Sequence, residues 1–371
     1  MKYSTMILIL IVFLALIIGA IIYLSGRFAL FFPVISKKVW LFGFIALVVI
    51  ALAGMMVFST TLNPFGKFVF MFGGIICSIL LFLLMSVAVT DLFNLIFKFP
   101  PQTRGLLSLG LTLLLTVYGV WNAYSIKVKE ITIPIQGLTK EIRAIHLTDV
   151  HLGNFRGKNN VNKIVNKIKK QNPDLIFNTG DMFDSKTHFG SNEDVLSAFR
   201  TLDIPHYFVY GNHDEHVGVE TVIGQMKNAN ATVLLNQIAY FEELQIIGLN
   251  NMLTDQNSFD IHAGPNSQTI ENTLNELDIK DNLPTIVLHH RPDGVKYMQQ
   301  KGADLLLAGH THAGQLFPFT LIAKLMFGYN KGLYKYENMD IYVSEGIGAI
   351  FAPVRFGTHS EMTLIKLIPD K

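Results

Sequence analysis

Cysteine is nearly absent from this sequence, and basic residues are not concentrated anywhere in it. The one cysteine in 371 residues, Cys77, lies in a long apolar run, so the polar remainder of the chain has no thiol to oxidise. Thirty basic residues against 28 acidic ones give a formal net charge of +2. The lysines are scattered without a basic stripe, which argues against nucleic acid as an obligate partner. No internal repeat or low-complexity stretch is visible.

Histidine is absent from the first 145 residues, and all twelve histidines follow them. Long apolar runs dominate the N-terminal part, whereas the C-terminal part has the mixed composition of a water-soluble domain. We therefore predict a transmembrane region over residues 1–124 and a soluble domain over residues 125–371.

Four apolar runs in the first part are long enough to cross a hydrocarbon core of about 30 Å as helices. They cover residues 5–25, 39–59, 68–97 and 105–124. The first is too long for a cleaved signal peptide, so we expect it to remain as an anchor. Asp91 lies near one end of the third run, where a headgroup-level position explains it better than an intramembrane function. The spans are otherwise almost purely apolar, which argues against a transporter or channel.

The basic residues of the short loops give the expected orientation. Five lie in the loops after the first and third runs, namely Arg27, Lys37, Lys38, Lys98 and Arg104. Four lie on the other side, namely Lys2, Lys67, Lys127 and Lys129. We therefore expect a multi-pass cell-membrane protein with its catalytic domain on the extracytoplasmic side.

Strand and helix patterns alternate in the soluble part. Strands are predicted over residues 126–135, 141–147, 174–178, 206–210, 240–248, 285–288, 304–308, 339–343 and 361–367. Helices are predicted over residues 160–171 and 193–202. About 240 residues with this alternation favour one α/β domain with two packed sheets.

Clusters of histidine, aspartate and asparagine follow five of these strands. They are Asp149-Val150-His151, Gly180-Asp181, Gly211-Asn212-His213-Asp214, His289-His290 and Gly309-His310-Thr311-His312. In an α/β fold the chemistry gathers where strands end, so we expect these side chains to meet in a binuclear metal site.

The order D-x-H, GD, GNHD, H and GHTH resembles the calcineurin-like metallophosphoesterases, from about Arg143 to the C-terminus. The resemblance implies a four-layer αββα sandwich, in which helices flank two mixed β-sheets, preceded here by the four-helix transmembrane region. The segments 343–346 and 353–357 resemble the closing part of a bacterial membrane-anchored subgroup. That subgroup more often has arginine in place of Glu345 and Pro-Pro in place of His359-Ser360.

The resemblance also implies the role of each site residue. Asp149, His151 and His312 would hold one divalent metal, Asp181 would bridge, and Asn212, His290 and His310 would hold the other. This mixed set of nitrogen and oxygen ligands suits Mn²⁺, Fe or Zn²⁺ alike. His213 would stabilise the phosphoryl oxygens or protonate the leaving group, Asp214 would fix the tautomer of His213, and a metal-bridging hydroxide would attack phosphorus.

Several assignments have alternatives. His289 could replace His290 as the ligand, although in the resembling sequences the ligand lies two positions before a proline, which is Pro292 here and favours His290. His146 is interpreted as a hydrogen-bonded core or second-layer histidine, and Asp184 and Asp293 as residues that orient ligands or simply cap and solvate. The remaining histidines match no ligand position and are interpreted as surface residues: His188, His206, His216, His262 and His359.

These residues predict a hydrolase of a phosphorylated small molecule or lipid, either a phosphate ester or a pyrophosphate. A diphosphatase of UDP-2,3-diacylglucosamine, as in lipid A synthesis, is one alternative and would need a cytoplasmic active site. A non-catalytic, metal-stabilised binding module is an alternative of another class, for which loss of ligands would be the signature. The oligomeric state stays open.

Overall fold

A computed structural model describes residues 3–59, 63–184, 194–252 and 268–370. The chain divides into two compact units. The first comprises Met1–Trp121 together with Phe351–Val354, and the second comprises Asn122–Ile350 and Arg355–Lys371. This division falls after residue 121, the predicted domain boundary between residues 124 and 125 stays a prediction, and the sequence gives no sign that residues 351–354 belong with the helices.

The first unit contains four helices that are long and apolar enough to cross a membrane: α1 (Tyr3–Phe31), α2 (Lys37–Phe58), α3 (Pro64–Phe97) and α4 (Pro101–Tyr124). Local signals set their ends. The Ser36 hydroxyl accepts a hydrogen bond from Val39 N at the start of α2, and the Asn63 side chain accepts one from Gly66 N at the start of α3. Lys98, in a left-handed conformation, ends α3.

Asp91 of α3 is paired in this unit. Its carboxylate accepts a hydrogen bond from Tyr23 Oη at 2.5 Å, and it lies 2.7 Å from Arg27 Nε and 3.1 Å from Arg104 Nη1. A carboxylate with two guanidinium partners is a satisfied charge, as buried charges require. Its position at headgroup level stays a prediction.

The second unit is built on two mixed six-stranded sheets. The first sheet has the order β1-β12-β2-β3-β4-β5, in which β12 runs antiparallel to β2 and the other neighbours are parallel. Its strands are β1 (Ile126–Ile135), β2 (Ile142–Leu147), β3 (Leu175–Asn178), β4 (His206–Phe208), β5 (Thr232–Val233) and β12 (Ser360–Pro369).

The second sheet has the order β10-β11-β9-β8-β7-β6, with antiparallel pairs at both edges and parallel pairs between them. Its strands are β6 (Gln237–Phe241), β7 (Leu244–Gly248), β8 (Thr285–Leu288), β9 (Leu305–Ala308), β10 (Gly332–Tyr336) and β11 (Met339–Val343). The short helices of the unit are α5 (Lys158–Gln171), α6 (Asn212–Val217), α7 (Val219–Asn228), α8 (Ile270–Glu276), α9 (Val295–Gln300) and α10 (Phe319–Met326).

Successive side chains of a strand point to opposite faces of its sheet, so the two sheets separate three hydrophobic cores. Together with the helices on their outer faces, the sheets form four layers. Leu175 and Phe177 point into a core between the two sheets, where they meet Leu288 and Leu307. On the outer face of the first sheet, Ile145, Ile176 and Phe208 pack against α5 and α7. On the outer face of the second sheet, Val287, Leu306 and Ile341 pack against α8 and α9. The predicted αββα sandwich is confirmed.

Two elements differ from the prediction. In the described part of residues 193–202, Ser197–Thr201 forms a short 3₁₀ helix rather than an α-helix. Residues 240–248 form the second half of a hairpin between β6 and β7 rather than one strand, because Glu242 turns the chain with a left-handed backbone.

Candidate metal centre

Parallel strands deliver the predicted residues to one place. Asp149 and His151 follow β2, Asp181 follows β3, and Asn212 begins the helix after β4. His290 follows β8 of the other sheet, and His310 and His312 follow β9. Because β2, β3 and β4 are neighbours in one sheet and β8 and β9 in the other, their carboxyl ends present these side chains together.

Three of the side chains form a first group around Asp149. His151 Nε2 lies 3.0 Å from His312 Nε2, and His312 Nε2 lies 3.4 Å from Asp149 Oδ1. His151 Nε2 is 3.8 Å from the same carboxylate oxygen. All three residues are buried.

The other residues form a second group joined to the first by Asp181. Asp181 Oδ2 lies 3.2 Å from His290 Nε2 and 3.8 Å from His151 Nε2, so one carboxylate oxygen stands between the two groups. His310 Nδ1 lies 3.3 Å from His290 Nε2 and 2.9 Å from Asn212 Oδ1. The structure thus brings all seven predicted ligands together.

These separations fit metal coordination. Metal bonds of 2.0–2.2 Å place adjacent ligand atoms about 2.8–3.6 Å apart in tetrahedral or octahedral geometry. The shortest contacts within each group fall in that interval. The donors are imidazole nitrogens and carboxylate or amide oxygens, which divalent first-row metals accept. Two divalent cations therefore fit the residues present.

The backbone carries strain at this place. Asp149, His151, Asp181, His310 and His312 all have φ between 47° and 71°, a region that non-glycine residues seldom occupy. Such strain persists only where the surrounding structure enforces it, and it collects at functional sites. The turns after β2, β3 and β9 are therefore built to aim side chains.

Close approach of these turns explains two of the neighbouring glycines. A Cβ on Gly180, whose φ is 94°, would collide with the backbone of Gly211, and a Cβ on Gly309 would collide with the Asp149 carboxylate. Only glycine lets these ligand-bearing turns lie against one another.

The charges are arranged as a metal site requires. Burial alone would raise the pKa of Asp149 and of Asp181, but the surrounding histidines hold both well below their usual range, so both are anionic. Burial lowers the pKa of His310 and His312, which keeps these rings neutral. Neutral imidazole and ionised carboxylate are the forms that bind a metal.

His151 and His290 differ from those two histidines. Burial opposes their protonation, but adjacent carboxylates outweigh it and raise the pKa of His151 to about 10 and that of His290 to about 9. A cation bound beside these carboxylates would displace protons from the two rings.

His213 stands at the edge of the cluster with its side chain 32% exposed. Its Nδ1 lies 2.9 Å from Asp184 Oδ1, and the same oxygen lies 3.4 Å from Nδ1 of His151. Asp214 does not orient His213 as expected. The Asp214 carboxylate accepts hydrogen bonds from the backbone N–H groups of Met182, Phe183 and Gly211, because the first turn of α6 directs it into the protein.

Burial, followed by the nearby Asp181 charge, raises the pKa of Asp214 to about 6. Asp214 is therefore a structural group that ties the β3 and β4 turns together. Asp184, named from the sequence only as a candidate orienting residue, takes the place expected for Asp214.

Adjacent histidines after β8 point differently. His290 Nδ1 donates to Thr179 O at 2.8 Å, which leaves its Nε2 to face Asp181. His289 Nδ1 donates to Arg291 O at 2.7 Å, and burial lowers the pKa of His289 to about 3. The geometry favours His290 over His289 as the ligand.

Other predicted positions lie outside the cluster. His146 is fully buried and its Nε2 lies 2.8 Å from the Thr179 hydroxyl. His206, expected at the surface, is buried beside Phe199 because β4 directs it under the 3₁₀ helix. Asp293 pairs with Arg291, His216 is exposed and His359 is half-buried. His188 and His262 lie outside the described residues.

Arg355 is a site neighbour to which the sequence assigned no role. Its guanidinium is fully buried, and Nη2 lies 3.1 Å from His312 Nδ1. Nη2 and Nε also donate to Gly348 O, and Nη2 donates to Glu345 O at 2.7 Å. An arginine in the closing segment 353–357 was the available signal, but only tertiary structure places it against a ligand.

The two departures from the subgroup pattern contact each other. The His359 backbone N–H donates to Glu345 Oε2 at 2.6 Å, and Glu345 Oε1 lies 3.0 Å from Lys331 Nζ. Proline at position 359 would have no N–H to donate. Glu345 and His359 are therefore linked by a hydrogen bond that proline at position 359 could not make.

Comparison with known proteins agrees with this geometry. The model of the family described as calcineurin-like phosphoesterase matches residues 142–314. An uncharacterized metallophosphoesterase of Helicobacter pylori is 31% identical over 73% of this chain and 73% of its own length. A transmembrane protein with metallophosphoesterase domain from Danio rerio is 31% identical over 70% of this chain. The phosphodiesterase YaeI of Escherichia coli is 30% identical over 61% of this chain and 82% of its own length.

The chain spans only 62% of the Danio rerio relative, less than two thirds of that protein. The helices of the first unit and the names of such relatives indicate membrane association. The resemblance drawn from the five motifs is confirmed. This chain belongs to the calcineurin-like phosphoesterases, metal-dependent hydrolases of phosphoric esters that use two divalent cations.

Proposed function

We propose that this protein is a multi-pass membrane enzyme that hydrolyses a phosphate ester or pyrophosphate of a lipid-linked or cell-envelope substrate. The observation that carries the proposal is the convergence of seven donor side chains from five strand ends at separations that suit two cations. Asp149, His151 and His312 would hold one ion, Asn212, His290 and His310 the other, and Asp181 both.

Two cations bound there would supply Lewis acidity and lower the pKa of water enough for hydrolysis near neutral pH. The chain's own residues supply the rest. Buried carboxylates and rings fix the cluster, and the partly exposed ring of His213 lies edge to face with His151, where it would contact a bound substrate. The Asp184 carboxylate beside His213 Nδ1 orients the ring, so that its other nitrogen can donate a proton to a phosphoryl or leaving-group oxygen.

The four candidate spans support a substrate at a bilayer surface. Tethering raises the local concentration of a lipid-linked phosphate and lets its hydrocarbon stay in the membrane. The relative named a phosphodiesterase supports a diester or pyrophosphate over a simple monoester. The excess of basic residues, five against four, supports an extracytoplasmic catalytic domain.

Hydrolysis of bis(p-nitrophenyl) phosphate by the full-length protein in detergent with Mn²⁺ tests the proposal. We expect Asp181→Asn to reduce turnover to background and to lower the bound metal, because the shared oxygen no longer carries charge. Asp278→Asn, at an exposed aspartate on another part of the domain, is the matched control and should be fully active. Turnover retained in Asp181→Asn would overturn the assignment. Wild-type protein that binds two ions without turnover would indicate the binding module instead.

Orientation separates the two lipid-linked substrate classes. Because Cys77 is the only cysteine, a Cys77→Ser, Asp278→Cys variant carries one exposed thiol in the soluble domain. Labelling by a membrane-impermeant maleimide in intact cells is expected for an extracytoplasmic domain. Labelling only after permeabilisation would refute that orientation and favour the UDP-2,3-diacylglucosamine diphosphatase.

A further inference from the structure

The soluble unit exposes large apolar side chains in one short segment. Among its described residues, six large apolar side chains between positions 317 and 326 are 37–88% exposed: Phe317, Phe319, Leu321, Ile322, Leu325 and Met326. We call these six residues the apolar helix face. The other exposed large apolar residues described in this unit, Tyr240 and Leu333, stand in other strands. A contiguous exposed apolar patch of this kind marks a contact surface.

Helix α10 carries most of this face. Of its eight residues only Ala323 is buried, and Lys324 is its only charge. A water-facing surface helix normally turns a polar side outward, whereas α10 turns Leu321 and Leu325 outward, the latter 88% exposed. Exposed apolar side chains such as these can be buried in the interfacial layer of a bilayer.

Both ends of α10 lie close to the segment that carries His310 and His312. At its start, the Phe319 carbonyl lies against Gly314, the last residue of the 3₁₀ turn that begins with His312. At its end, the ring of Phe327 meets the ring of His310 edge to face, with centroids 5.8 Å apart. The last residue of the apolar helix face, Met326, therefore directly precedes Phe327, whose ring contacts the predicted ligand His310.

We infer that the apolar helix face enters the interfacial layer of the membrane and there receives the hydrocarbon chain of the substrate. The phosphate of that substrate would then reach the metal centre past Phe327. This inference rests on the proposed function and names the part of the protein that selects lipid. Residues 317–331 contain no acidic side chain, and Lys324 would face anionic headgroups without repulsion.

Lipid is favoured over a protein partner because the chain carries four candidate membrane spans before this unit. The unit follows directly on α4, the fourth candidate span, so its surface is tethered within reach of a bilayer. Hydrocarbon also needs no polar partner on the protein, and the six side chains of the apolar helix face carry no hydrogen-bond donor.

Fluorescence tests the membrane contact independently of turnover. A Leu325→Trp variant is made in a Trp40→Phe, Trp121→Phe background, which removes the chain's only tryptophans. In full-length protein in nanodiscs, we expect brominated lipids to quench the introduced tryptophan and iodide to leave it largely unquenched. A Leu333→Trp variant in the same background is the control, and we expect the reverse. Quenching of the Leu325→Trp variant by iodide alone would overturn the inference.

Substrate chain length tests the second half. The probes are p-nitrophenyl methyl phosphate and p-nitrophenyl dodecyl phosphate, with the enzyme in nanodiscs and Mn²⁺ present. We expect the ratio of kcat/KM for the dodecyl ester to that for the methyl ester to fall about tenfold in Leu321→Gln, Leu325→Gln, and to be unchanged in Leu333→Gln. An unchanged ratio in the double variant would overturn the inference.

The outcomes also separate this inference from the proposed function. If the enzyme with its native residues hydrolyses neither ester while brominated lipid quenches the Leu325→Trp variant, the proposed function fails and the membrane contact stands. If the double variant abolishes a concentration-dependent dimer in sedimentation and lipid does not quench the Leu325→Trp variant, the face binds a second copy and the inference is wrong.

Discussion

The carboxylate beside the His213 ring belongs to Asp184, not to the sequence neighbour Asp214. The two relevant atoms, His213 Nδ1 and Asp184 Oδ1, lie 2.9 Å apart. Nearby histidines, despite burial, hold the pKa of Asp184 far below its usual range, so it is anionic. An anionic partner at Nδ1 keeps the hydrogen on that nitrogen and stabilises the ring when it is protonated. The two carboxylates therefore have separable roles, which mutation can distinguish.

Asp184→Asn is expected to lower kcat 10–100-fold at saturating Mn²⁺, because His213 loses the charge that orients and stabilises it. Steady-state kinetics on bis(p-nitrophenyl) phosphate measure this effect. The melting temperature should stay within about 2 °C of wild type. His216→Asn, at an exposed histidine, serves as the control. A variant with wild-type kcat would mean that His213 needs no partner.

Asp214→Ala is expected to act on stability first. The change leaves three buried backbone N–H groups without their acceptor, each costing about 1–3 kcal/mol. At roughly 2–4 °C per kcal/mol for a domain of this size, the melting temperature should fall by about 6 °C or more. Near-ultraviolet circular dichroism of the detergent-solubilised chain follows the transition. An unchanged melting temperature together with a large loss of kcat would restore Asp214 to a catalytic role.

Metal content should separate the adjacent histidines. His290→Asn removes a donor that faces Asp181, so we expect bound metal to fall from two ions per chain toward one. His289→Asn alters a side chain bonded to Arg291 O, and two ions should remain. Elemental analysis of the two purified variants, loaded with Mn²⁺ in parallel, provides the comparison. The opposite pattern would make His289 the ligand.

Arg355→Met should weaken metal binding although Arg355 is not itself a predicted ligand. The change removes the guanidinium that packs beside the His312 ring and leaves the carbonyl groups of Glu345 and Gly348 with fewer partners. We expect the affinity for Mn²⁺ to fall about tenfold, as for other groups that orient ligands. Isothermal titration with Mn²⁺ tests this, and an affinity equal to that of Arg200→Met, an exposed arginine elsewhere, would refute it.

His206 should contribute to acid sensitivity. Burial lowers its pKa to about 4 in the folded protein, against about 6.5 in the unfolded chain. As the pH falls below 6.5, the unfolded state takes up the proton first, so stability is lost between pH 6.5 and about 4. The difference corresponds to about 3 kcal/mol. His206→Gln should flatten this part of the dependence of melting temperature on pH, whereas His216→Gln should not.

The sequence predicts well where strands end and which side chains follow them, because both depend on local patterns. Short aliphatic runs such as 285–288 and 339–343 are buried on both faces, and the observed strands β8 and β11 have those bounds. Glycine next to Asp181, Asn212 and His310 marks three of the turns. The sequence pattern alone therefore predicts that the donor side chains follow β2, β3, β4, β8 and β9.

What the sequence missed depends on tertiary contacts. The direction of the first turn of α6 decides which carboxylate lies beside His213. It sends Asp214 inward and leaves Asp184, 29 positions before His213, beside the ring. Arg355 reaches His312 across 43 positions, and no local pattern reports such a pairing. The burial of His206 follows from the 3₁₀ helix above it, which the sequence suggested as an ordinary helix.

Residues 351–354 belong with the helices, although the segments on both sides of them belong with the sheets. The chain thus leaves the α/β unit between Ile350 and Arg355 and returns only four residues later. Alanine, proline and valine at positions 352–354 are buried, and Ala352 lies against Gly74 of α3. A fragment that begins at residue 125 would keep residues 351–354 but lack the helices that they pack on. Truncation to isolate the catalytic domain would therefore expose an apolar, aggregation-prone loop beside Arg355.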